Sequence, residues 1–193
     1  MFTDHTVAAI LAALGDQAPN EHWIEALNNG THVLIRPLHR QDRQLAFAFL
    51  GQLSAESLRS RFFAQVEQSA RSMLDYLMDV DYQQRMAYIA MIHERGQLTE
   101  VGISRYAACI DPGQCECSVV VADRWQRRGL GTLLMRHLIS AAQRNGFKTM
   151  VSIHQANNFA MHSLSRSQGF HSRYPATGED EIIHELDLTP RRG

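Results

Sequence analysis

Residues 119–132, VVVADRWQRRGLGT, constrain the fold more than any other stretch of the chain. Three consecutive valines read as a buried strand. Asp123 and Trp125 turn the chain out of it, and Gln126-Arg127-Arg128-Gly129-Leu130-Gly131 opens an amphipathic helix. Leu130, Leu133, Leu134, His137, Leu138, Ala141 and Ala142 recur at i, i+3, i+4, i+7, i+8, i+11 and i+12, one continuous face. Asn145-Gly146 supplies the stop. Glycines let a ligand approach the backbone without a Cβ in the way. The first turn of a helix carries unpaired N–H groups and a partial positive charge. Together these features make a cradle for phosphate. The competing reading is an ordinary strand-to-helix turn with two exposed arginines. There is no Gly-Lys-Ser/Thr, so the turn is not a P-loop, and the third glycine of the dinucleotide fingerprint is missing.

A chain of 193 residues implies one domain with room for a substantial core. A formal net charge of −1 gives no electrostatic case for nucleic acid or an anionic membrane. The apolar run from Val7 to Leu14 is too short to span a bilayer and lacks the basic flank of a secretory signal. Three cysteines, an odd number, do not suggest a disulfide framework. The expected location is a reducing cytoplasm.

Residues 1–30 are expected to form a helical extension. Val7, Ile10, Leu11 and Leu14 share one face, and Trp23, Ile24 and Leu27 suggest a second short helix before Asn28-Asn29-Gly30. Such an extension suits packing on the domain's own surface; the sharper alternatives are a homodimer contact or a cover over the substrate site. Residues 31–193 form the expected domain. Strands are expected over Thr31–Arg36, Arg85–His93, Leu98–Ile110 and Cys115–Val121, then over Thr149–Ile153, Phe170–Tyr174 and Glu181–Leu188. Helices are expected after Asp42, Ser54 and Ser69, where a polar residue precedes an apolar periodicity, and over Asn157–Gln168. Asp111-Pro112-Gly113 is a turn. This order implies an α/β fold, a mixed and mostly antiparallel sheet with helices on both faces.

Gln-x-x-Gly-x-Gly after a valine-rich strand resembles the acetyl-CoA pyrophosphate loop of the GNAT superfamily of N-acetyltransferases. IRPLHRQD, from Ile35, resembles that family's first strand and its turn into helix one. LSAESLRSRFF, ECSVVVADRWQRRGLG and the segment Asn158–Phe170 resemble the GNAT domains of bacterial protein lysine acetyltransferases. The resemblance covers roughly Val33 to Leu188. It implies a sheet splayed at the cofactor site and an acetyl-CoA-dependent transfer to an amine, either a protein lysine or a small molecule. A non-catalytic acetyl-CoA-binding sensing module is the alternative from another class.

By this resemblance, the backbone N–H groups from Arg127 through Thr132, with Gly129, Leu130 and Gly131 between, hold the CoA pyrophosphate. The family's Gln is Gln126, and Arg127 and Arg128 stand within reach of phosphate or lie solvated at the helix start. Val119, Val120 and Val121 form the strand that parts from the neighbouring Met150–Ile153 strand and takes the pantetheine arm between them. Asn158 meets the cofactor arm, or serves only as an N-cap. Glu116 is the candidate general base. A lysine amine has a pKa near 10.4 and must lose a proton before it attacks. Glu116 alternates with Cys115 and Cys117, so it projects to the opposite face from both. It is expected to be desolvated, with its pKa pushed up; a structural pairing with Arg105 is the alternative. The resemblance puts a Tyr acid at 165, where this chain has Ser165, a position expected to face the cofactor.

No metal is expected. Cys115-x-Cys117 lacks the second ligand pair of a zinc site, and His154, His162, His171 and His184 read as surface or packing residues. Tyr76, Met78 and Tyr82, with Arg59 and Arg61, line either the acceptor cleft or the helix packing, and packing is favoured.

Overall fold

The computed structural model describes residues 18–61, 70–94, 96–174 and 180–189. The helix expected around Val7 to Leu14 lies outside them. The strands are β1 (Trp23–Ala26), β2 (His32–Pro37), β3 (Arg85–Glu94), β4 (Gln97–Ala108), β5 (Gln114–Val121), β6 (Thr149–Gln155), β7 (His171–Arg173) and β8 (Glu181–Asp187). The helices among the described residues are α1 (Arg43–Leu50), α2 (Ala55–Arg61), α3 (Ala70–Met78), α4 (Leu130–Arg144) and α5 (Phe159–Ser167). One open sheet runs β1-β2-β3-β4-β5-β6-β8-β7. Every neighbouring pair is antiparallel except β5–β6. The mixed, mostly antiparallel sheet expected from the sequence is thus present.

Helices cover both faces. A Cβ on Gly102 would stand 3.0 Å from a Leu134 methyl, so glycine at this point lets α4 lie close on β4. Ser104 Oγ on the same face donates to the Leu134 carbonyl. Arg105 projects the other way, and its guanidinium stacks 4.1 Å from the Tyr76 ring of α3. Because both faces are covered, β3 and β4 are buried over most of their length on both sides, as near-continuous apolar strands should be. Asp42 holds the N-cap position of α1, as expected, but its carboxylate is used elsewhere. It accepts two bonds from Arg36, at 2.6 and 2.7 Å, and one from the His39 N–H at 2.8 Å.

The short helix expected over Trp23 to Leu27 is instead strand β1, paired antiparallel to β2. Its pattern is inverted, which hides it. Ile24 points outward and is 72% exposed. Trp23 and Glu25 point inward, where Trp23 stacks on His137 of α4 at 4.0 Å. Glu25 is neutralised by Arg136 at 2.7 Å and bonded to His137 at 2.8 Å. A charge on the inner side and an isoleucine on the outer one defeat period-two reasoning.

A bulge between Ala90 and Met91 shifts the β3–β4 register. Beside it Glu100 is 1% exposed, and neither carboxyl oxygen has a hydrogen-bond partner among the described residues. Burial, and then the nearby negative charge of Asp42, push its pKa up to about 8 against the counter-effect of Arg36. The folded state therefore holds this proton more tightly than the unfolded chain. Stability must fall as pH rises from the unfolded value near 4.3 toward 8. Relative to wild type, Glu100→Gln should gain a few kcal/mol of stability between pH 5 and pH 9. Urea unfolding of both proteins at the two pH values checks this; a pH-independent difference would show that Glu100 does not titrate in the fold.

Candidate active site

Strands β5 and β6 pair only from Gln114↔Thr149 to Glu116↔Val151. Beyond Glu116 the register ends, and Cys117–Val121 and Ser152–Gln155 keep partners only on their outer sides, in β4 and β8. A cleft of about 390 Å³ occupies the gap. Glu116, Cys117, Ser118 and Val119 line it from β5, with Ser152, Ile153 and His154 from β6, Met161 from α5 and Tyr76 from α3. Ala107–Asp111, at the end of β4 and after it, complete the lining.

At the far end of β5 the chain makes one turn of 3-10 helix, Asp123–Trp125, and enters α4. The turn is held by side chains distant in sequence. Asp123 accepts from the Ser54 N–H at 3.0 Å, the Ser54 hydroxyl at 2.8 Å and the Ser57 hydroxyl at 2.9 Å. Burial pushes this carboxyl up, but those bonds outweigh it and hold the pKa below the ordinary value. Gln126 Nε2 donates to the Val121 carbonyl at 3.1 Å and to Ser57 Oγ at 3.3 Å. The Asn28 N–H donates to the Arg128 carbonyl at 3.0 Å.

Arg127 (φ 58°) and Gly129 (φ 88°) are both left-handed. Such backbone turns successive N–H groups toward one side and makes an anion-binding concavity. The exposed Arg127 adds charge, while the Arg128 guanidinium lies over the Trp125 ring at 4.6 Å. The first turn of α4 carries no acidic residue. Leu130 is 1% exposed, so only its backbone can serve a ligand. Gly131 faces Leu164 of α5, and Thr132 is exposed.

Glu116 stands at the last paired position of β5, on the face opposite Cys115 and Cys117, which are both buried. Its side chain is exposed within the cleft, so the expected desolvation is not found. Arg105 spends one hydrogen bond on the Asp79 carbonyl and stacks on Tyr76. Asp111 shares the cleft lining with Glu116. Burial first, then these two carboxylates, push the Cys109 thiol up, which keeps it protonated.

A family model described as the acetyltransferase (GNAT) family matches residues 54–170. The chain belongs to this family. It is 48% identical over 168 residues to an acetyltransferase of Pseudomonas aeruginosa, covering 87% of this chain and 90% of that one. Among solved structures it is similar to the GNAT domain of S. lividans PAT, with TM-score 0.77 and 21% identity, over 89% of this chain and 99% of that one. It is also similar to YncA from Salmonella typhimurium, solved with its cofactor acetyl-CoA, with TM-score 0.62 and 20% identity over 83% and 96%. These two likenesses establish the acetyltransferase fold.

Within this acetyltransferase, the remaining sequence candidates divide. Val119 lines the cleft; Val120 is buried at 6% exposure, and Val121 gives its carbonyl to Gln126. Asn158 is the N-cap of α5 and accepts from the Met161 N–H at 3.1 Å. Ser165 is fully buried on α5, its hydroxyl without a partner among the described residues, and it does not line the cleft. Tyr76 lines the cleft, whereas the Tyr82 hydroxyl bonds the Leu38 carbonyl and Met78 packs on the core. The side chains of Arg59 and Arg61 lie outside the described residues.

Two histidines expected on the surface or in ordinary packing lie deep. His154 is 3% exposed and His184 0%. Burial, and then the neighbouring His184 and His162, push His154 down to about 4. Sequence spacing missed this group because its members come from three separate elements. It also missed Ser54 and Ser57, whose role depends on Asp123, 66 to 69 positions away.

A Cβ on Gly129 would stand 3.0 Å from Asn28 Oδ1, at a φ that side chains resist. Gly129→Ala should therefore cost about 1–3 kcal/mol with no ligand present. Asn28→Gly in that background should recover the steric share, because the Asn28 N–H is retained. Chemical denaturation of the four combinations measures the coupling, and strict additivity would mean that Asn28 is not in the way.

Proposed function

We propose that the protein transfers the acetyl group of acetyl-CoA to a cationic primary amine. The pyrophosphate is held by the N–H groups of Arg127 to Thr132, and the pantetheine arm lies in the gap between β5 and β6. Glu116 is the general base. The observation that carries this reading is the end of β5–β6 pairing at Glu116. From there to Val121 the strand extends about 17 Å, so an arm anchored at the turn runs back along β5 toward the carboxylate. Cleft residues Glu116 and Asp111 give the mouth a negative potential suited to an ammonium group. Glu116 takes one proton, and the freed amine attacks the thioester carbon. As the tetrahedral intermediate collapses, the C–S bond breaks and the thiolate leaves. With Ser165 buried, the thiolate takes the second proton of the acetylated nitrogen as the amide forms, directly or through water in the open cleft. A lysine side chain is the acceptor of this class that best suits an open cleft. We further place the start of the catalytic unit ahead of Trp23, since a boundary at residue 31 would part β1 from β2.

Acetyl-CoA at a hundredfold excess over its Kd should stabilise the fold by about 2.7 kcal/mol. CoA release against a panel of lysine peptides and small amines identifies the acceptor. On the best acceptor, Glu116→Gln should lower kcat by about 10²-fold or more and leave donor affinity unchanged. Equal turnover by the two proteins at every pH would remove Glu116 from the chemistry. Donor binding without turnover of any amine would favour the sensing module.

A further inference from the structure

His154 of β6, His162 of α5 and His184 of β8 meet on the α4 side of the sheet, at the cleft wall that His154 helps to line. One ring nitrogen from each lies within 4.8 Å of the others. His162 Nε2 is 3.1 Å from the Ala156 carbonyl, which only accepts. That nitrogen is therefore protonated, and the lone pair of neutral His162 is on Nδ1. Nδ1 is 3.0 Å from His184 Nε2, and His184 Nδ1 is 2.9 Å from the Ser172 hydroxyl. A hydroxyl both donates and accepts. In the tautomer with Ser172 donating, His184 Nε2–H simply donates to His162 Nδ1 at 3.0 Å. In the one with Ser172 accepting from His184 Nδ1–H, two lone pairs face each other and a cation takes the place of that proton.

Each outer nitrogen has the support that metal-bound histidines use: a carbonyl on His162 and a hydroxyl on His184. The third ring is the one with unmet needs. Neither nitrogen of His154 has a partner among the described residues, although the residue is 3% exposed. Its ring now stacks on His184, with centroids 4.6 Å apart and planes at 16°. Its nitrogen stands within 4.8 Å of the other two, so ligation requires the ring to leave this stack and turn toward them.

We propose that His154, His162 and His184 bind one Zn²⁺ ion, with water in the fourth position. Imidazole ligands without a carboxylate suit zinc rather than magnesium or calcium. Two nitrogens bound at 2.0–2.1 Å on a tetrahedral ion stand about 3.3 Å apart, close to the 3.0 Å separation already present. The ion ties β6, α5 and β8 together along the wall of the acyl-transfer cleft, so its role is to stiffen that wall.

The test uses the full chain without a histidine tag. Equilibrium dialysis with Zn²⁺ should find one tight ion per chain. Co²⁺ in its place should give the visible bands of a four-coordinate site. His162→Gln, at a half-buried position, should lose this ion with the fold kept by circular dichroism. Ser172→Ala, on the exposed β7, removes no ligand but should weaken binding about 10–100-fold. Zn²⁺ should raise the Tm of the wild type and not that of His162→Gln. No stoichiometric ion in the wild type overturns the proposal. So does undiminished affinity in both variants, which would place the metal on other surface histidines.

Discussion

The Asp123 carboxylate holds together the two parts on which the site depends. It accepts from Ser54 and Ser57 at the start of α2, and it stands at the head of the turn that leads into α4. Gln126 closes the circuit by bonding both Ser57 and the end of β5. Without these bonds a turn with two left-handed residues has little to fix it, since one of them, Arg127, is not glycine and carries a cost of about 1 kcal/mol or more. The strain is held from three sides: α2 through the serines, β5 through Gln126, and the N-terminal segment through Asn28.

The second determinant is how few residues β5 and β6 share. Three paired positions anchor the strands, and then they part. A parallel pair needs a crossover connection, here α4, whose length sets where β6 enters the sheet. The turn before α4 and the gap beside β5 are therefore products of one connection. The turn and the open slot arise together, as the proposed hold on a long, phosphate-bearing carrier requires.

Much of this was legible in the chain. Strong periodicity located α4, β3, β4 and β5 to within a residue or two, because burial on a regular surface leaves a regular pattern. The glycine turn and the Asn158 cap are local features and stood out for the same reason. What failed was non-local. The sequence of β1 suggests a helix because its inward residues include Glu25, whose charge makes sense only beside Arg136 and His137. The exposure of Glu116 depends on the gap beside it, which composition does not reveal. The histidine group joins positions 154, 162 and 184, a spacing with no regular pattern. Nothing in the sequence marks Glu100, which the structure buries beside the bulge.

A sheet ordinarily carries its adhesive backbone at the rim, where another molecule's strand can join it. Here the rim strands are short: β1 has four residues and β7 three. The longer stretches of unpaired strand backbone face each other across the gap between β5 and β6. The molecule has moved its open hydrogen-bonding edge from its outline to its interior. Backbone amides can thus meet a guest that slides in lengthwise, while the periphery offers little for strand-by-strand association. Resistance to aggregation and capacity for an extended ligand follow from the same parting of two strands.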